Sequence, residues 1–143
     1  NLDRTLQMIR GISIFVWIIG IGTIIAGIVG ISNIMLISVK ERTQEIGVRK
    51  ALGAKSISVI SMVIQEAVIL TTLAGYIGLI AGIGILEIVS RIIPENKYFM
   101  NPSADLGVAV TATVILIIAG AFAGFFPARQ AARIKPIEAL RYE

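Results

Sequence analysis

The chain has no cysteine and no histidine. The first absence rules out a disulfide framework and thiolate chemistry. The second removes the commonest general base and metal ligand. Charge is scarce as well: Asp, Glu, Lys and Arg make up 15% of the 143 residues, against about 25% in an ordinary soluble domain. No GxxxxGK[ST] sequence occurs, so the chain does not bind ATP through a phosphate loop of that type. A Ser/His/Asp set and a Cys/His metal cluster both lack their parts. No enzymatic activity of the chain's own, no cofactor and no metal are therefore expected. The cations lie beside apolar runs and have no interleaved aromatics, which argues against a nucleic acid partner.

What fills the chain instead is apolar: 56% of the residues are hydrophobic and the mean hydropathy is +0.88. Such a surface needs lipid or partner chains to cover it. The apolar residues fall into long runs, and about 20 residues of helix cross a hydrocarbon core. Residues 11–39 carry no charge at all. Residues 67–86 are uncharged between Glu66 and Glu87, and residues 106–126 are uncharged up to Pro127. The expected architecture is all-α, an integral membrane bundle of three transmembrane helices. Its spans are set at about 12–39, 67–86 and 106–126, with 56–65 as an interfacial or cytosolic lead-in. Leu2, Leu6 and Ile9 recur at helical spacing, so residues 1–10 read as the end of a helix that continues upstream. Residues 94–105, with two prolines and two asparagines, read as a loop.

Orientation is expected from the basic residues, which favour the cytoplasmic side. Lys40, Arg42, Arg49, Lys50 and Lys55 lie in the 40–55 segment; Arg129, Arg133, Lys135 and Arg141 lie in the 127–143 tail. Together they are most of the 13 basic residues. The segment and the tail are therefore placed in the cytoplasm, and the start of the chain and the 94–105 loop outside. Trp17 would then sit near the outer interface. An external start that opens on Asn1 rather than Met leads us to expect an earlier span upstream.

Four features carry functional readings. Small residues recur at four-residue spacing: Gly22, Ala26 and Gly30; Gly78 and Gly82; Gly120 and Gly124. That spacing lets helix backbones approach closely, either within one chain or between two. The 40–55 segment has the character of a short helix. Glu45 and Arg49 form a favourable i, i+4 pair, Gly47 weakens the helix by on the order of 1 kcal/mol, and Gly53 can close it. It reads either as a basic loop that holds topology or as a helix that docks on a soluble partner. Glu66 is expected at the membrane surface, paired with cations of the 40–55 segment or the tail, because a carboxylate in lipid is costly. The tail cations suit anionic headgroups, and Pro136 can start a short last helix.

The run SNIMLISVKERTQEIGVRKALGAK (32–55), then QEA (65–67), then PARQAARIKPIEALRYE (127–143) resembles the FtsX-like permease family. Within it the sequence looks most like the macrolide-exporter (MacB) type, which also includes lipoprotein-release permeases. The likeness implies a segment holding the last three spans of a permease. It implies a coupling helix carrying Glu45, Ile46, Gly47, Arg49, Lys50, Ala51 and Leu52, which docks on an ABC ATPase subunit or a fused ATPase domain. It also implies a second permease chain, homo- or heterodimeric, and a possible periplasmic adaptor. The work implied is mechanotransmission, in which ATPase motion is passed through the spans to outer domains for export or efflux. The cell-division branch of the same family offers the alternative: a signalling or scaffold permease that regulates an outer partner without transport.

Overall fold

The computed structural model describes residues 1–92, 106–139 and 141. Among these every regular element is helical, in the order α1 (Leu2–Glu41), α2 (Thr43–Ala51), α3 (Ser56–Ile92), α4 (Leu106–Ala132) and α5 (Pro136–Ala139). Helices α1, α3 and α4 are each long and apolar enough to cross a membrane. The 94–105 stretch read as a loop lies outside the described residues.

All three long helices exceed the spans expected for them. Helix α1 starts at Leu2, ahead of the span expected from about residue 12, and carries the Leu2/Leu6/Ile9 helical pattern into one rod of 40 residues. The second span, expected over 67–86 behind a lead-in at 56–65, is the middle of the 37-residue α3. Nothing in 56–66 breaks a helix, and Val59, Val63, Ala67 and Thr71 recur every fourth residue on its buried face. Helix α4 runs through Pro127 to Ala132 instead of ending at residue 126. Proline removes the amide that would bond to the carbonyl of Ala123, one turn back. Here the ring is itself buried against the neighbouring helices, so packing holds the last turn in place.

Helices α3 and α4 form the most extensive pairing, and α1 lies against α4 more than against α3. The α3–α4 seam is built from small residues: Ala119, Gly120, Ala123, Gly124, Ala128 and Ala131 are buried on α4. A side-chain carbon on Gly124 would stand 2.7 Å from Cβ of Ala67, and one on Gly120 only 2.8 Å from the backbone of Val68. Glycine is what lets these two backbones touch. Gly22, Gly30, Gly78 and Gly82 have no such neighbour among the described residues, and Ala26 is exposed.

The core sits at one end of the bundle. Met35 and Val39 of α1, Ile46 of α2, Val59, Val63 and Ala67 of α3, and Ala128 and Ala131 of α4 close on one another there. Toward the other end the helices present Phe15, Trp17, Ile18, Ile77, Ile80 and Val110 outward. In a protein of this kind that surface belongs to lipid or to other chains.

Candidate functional site

The core end is where α2 turns away from the three long helices. Arg42 forms the joint between α1 and α2, with φ −94° and ψ 11°. The helical hydrogen bonding barely lapses across it: the Arg42 amide donates to Ser38 and the Ile46 amide donates to Arg42. The Thr43 hydroxyl donates back to the carbonyl of Lys40 at 2.7 Å, adding a second bond to a carbonyl that already accepts a backbone amide at the end of α1. Helix α2 is thus a stiff continuation of α1 set at a new angle.

At its other end α2 stops at Gly53, whose φ of +99° is the left-handed conformation glycine adopts most readily. The Gly53 amide donates to Lys50 and the Ala54 amide to Arg49, the paired bonds of a Schellman closure. Both ends of this nine-residue helix are therefore set by local chemistry.

Helix α2 has two unlike faces. Ile46 and Gly47 are buried. Val48 is 41% exposed and Leu52 83% exposed. Gln44, Glu45, Arg49 and Ala51 are exposed as well. Glu45 and Arg49 pair with each other at 3.0 Å along the surface, and the other terminal nitrogen of Arg49 meets the Met62 sulfur at 2.9 Å. Helix α5 packs beside α2 and turns Ile137 outward. The result is a small platform with apolar points at Val48, Leu52 and Ile137, bordered by charges of both signs.

Three contacts fasten this platform to the bundle. Arg42 bonds to Glu66 of α3 at 3.1 Å. Ile46 inserts into the core. The Lys50 ammonium donates to the carbonyl of Ile134 at 3.1 Å and also to that of Ala132. Of the residues singled out from the sequence, Glu45, Arg49, Ala51 and Leu52 lie on the outer side, while Ile46, Gly47 and Lys50 face inward. Arg42 and Ile137 were not among those residues. The signal for Arg42 was its place beside the end of α1, the cation of the segment nearest a surface carboxylate. Asn33 is exposed, and Glu87 pairs with Arg91 at 2.8 Å near the far end of α3.

Three long apolar helices, a short two-faced helix between the first two, and a basic rim at the same end define a multi-pass helical membrane protein of the permease class. The chain belongs to the FtsX-like permease family: residues 17–136 match the FtsX-like permease C-terminal domain. It is 34% identical, over all of its length, to the macrolide export ATP-binding/permease protein MacB of Chromobacterium violaceum, of which it spans 22%. It is 46% identical over 80% of its length to the MacB of Chlorobium luteolum, spanning 16% of that protein. An uncharacterized ABC transporter permease of Bacillus subtilis, YvrN, is 40% identical over 80% of the chain, which spans 27% of it. The chain thus covers under a third of the length of each of these relatives.

Proposed function

We propose that this chain is the portion of an ABC-type export complex in which the motion of an ATPase enters the membrane. Helix α2 docks on the ATPase through Val48 and Leu52, with Glu45, Arg49 and Ala51 around them. The long helices α1, α3 and α4 carry the displacement across the bilayer to extracytoplasmic domains. The observation that supports this most is the outward Leu52 on a helix whose opposite face is buried. A short, polar-flanked helix gains nothing by presenting leucine to water, whereas a partner cleft would bury it and stabilise the contact by about 2 kcal/mol. ATP hydrolysis falls to the partner subunit or to a domain outside this chain.

The reading extends to orientation and assembly. The basic residues around α2 and α5 put that end in the cytoplasm, leaving the start of α1 outside. Single cysteines replacing Ser56 and Ser103 should then be labelled from opposite sides of the membrane. The open faces at Gly22, Ala26 and Gly30 of α1 and at Gly78 and Gly82 of α3 suit close approach of a second permease chain.

The docking claim is tested by co-purification of the full-length permease with its ATPase. Val48→Asp with Leu52→Asp, and separately reversal of Glu45 and Arg49, should reduce recovery of the ATPase without loss of the folded permease. Undiminished recovery in both variants contradicts the proposal.

A further inference from the structure

Lys50 sits in the last turn of α2, yet its side chain leaves that helix for the end of another. It is half-buried and shares the inward face with Ile46, one turn earlier. Its ammonium donates to the carbonyls of Ala132 and Ile134, which close α4 and the turn after it. The last carbonyls of a helix have no intrahelical partner, and they form the negative end of its dipole. A cation there makes charge-assisted bonds, stronger than neutral ones. The Arg133 and Ile134 amides turn back to Gln130 and Ala131, so the backbone of this turn directs its own amides elsewhere. Lys50 completes the end of α4 from across the fold.

We infer that Lys50 is a positioning residue that clamps α2 to the end of α4, so that a displacement of α2 is delivered to α4 as well as to α1 and α3. This rests on the proposed docking of α2. Without the clamp, α2 would remain joined to α1 through the backbone and to α3 through Arg42 and Glu66. Helix α4 would then be joined to α2 by apolar packing around Ile46 and by the α5 segment packed beside α2, which resist separation but supply no directed bond to the end of α4. With it, α2 has directed bonds to both α3 and α4, and the bundle end moves as one body.

The test uses the full-length permease with its ATPase in lipid nanodiscs, with spin labels at the exposed positions Gln44 on α2 and Gln130 on α4. In the absence of nucleotide the native side chain should give one narrow distance distribution. Lys50→Met, which keeps length but no donor, should broaden it and raise the detached population by about tenfold or more, the effect of losing two charge-assisted hydrogen bonds. Lys50→Arg should restore the narrow distribution, and Lys50→Gln should fall between. The graded Arg and Gln variants keep the test valid if Lys50→Met fails to insert. A second label pair that follows the outer end of α4 at Val110 should show an ATP-driven shift that Lys50→Met and Lys50→Gln diminish while the ATPase still co-purifies. Identical distributions across the series overturn the clamp. Failure of the docking reading would look different: ATP would shift nothing even with Lys50 present, while the nucleotide-free distances would still report the clamp.

Discussion

The guanidinium of Arg42, at the joint between α1 and α2, lies 3.1 Å from the carboxylate of Glu66 on α3. It spans the angle at which the first long helix gives way to the short one, and it ties that angle to the second long helix. Both side chains retain solvent access, at 49% and 36% exposure. Such a pair contributes little to stability, about 0.2–1 kcal/mol. Its importance is directional. A double-mutant cycle with Arg42→Ala and Glu66→Ala, read by thermal unfolding in detergent, should give a coupling energy below about 1 kcal/mol that shrinks as salt is added. The same variants should lower ATP-driven export by more than their unfolding effect accounts for.

Ile46 predicts the opposite balance. It is 2% exposed and is the one large apolar side chain that α2 contributes to the core. Ile46→Ala should cost about 2–5 kcal/mol, the range for truncating a buried aliphatic residue. The loss should be local, because α2 has few other apolar contacts. Hydrogen exchange should show α2 amides losing protection while those in the middle of α3 and α4 keep theirs.

The glycine pairs separate by geometry. Gly120→Leu and Gly124→Leu place side-chain atoms against the backbone of Val68 and against Ala67, and backbone cannot move aside cheaply. Each should force α4 from α3 and lower the unfolding temperature, by an overpacking cost of about 1–3 kcal/mol or more. Gly82→Leu meets nothing among the described residues and should leave the unfolding temperature unchanged. A fall in permease dimer on native gels for Gly82→Leu, with the monomer intact, would identify the α3 face as an interchain contact.

Much of this architecture was legible from residue order alone. Uncharged runs gave three membrane helices, Gly53 marked the end of α2, and Pro136 marked the start of α5. The helices run past the expected spans for a physical reason. Charges such as Glu66 and breakers such as Pro127 bound the uncharged runs, yet a helix continues past both when its next turn has packing on one face and water on the other. The facing of α2 was less accessible. Lys50 was grouped with residues that meet a partner, although it follows Ile46 by one turn and so shares the buried face. What lies opposite that face, the open end of α4, is 82 positions away in the chain, from Lys50 to Ala132, and no local pattern announces it. Spacing likewise made three small-residue motifs look alike. Among the described residues, only the Gly120/Gly124 motif of the three has a neighbouring backbone.

The central claim is that the outer face of α2 receives the ATPase, and photo-crosslinking from Leu52 tests it most directly. A benzophenone amino acid replacing Leu52 in the full-length permease, irradiated in membranes, should yield a crosslink to the ATP-binding subunit or domain. The same probe replacing Leu106, at the opposite end of the bundle, should yield none. Crosslinks from Leu52 that reach only lipid or other permease residues, with the ATPase present and active, would contradict the account.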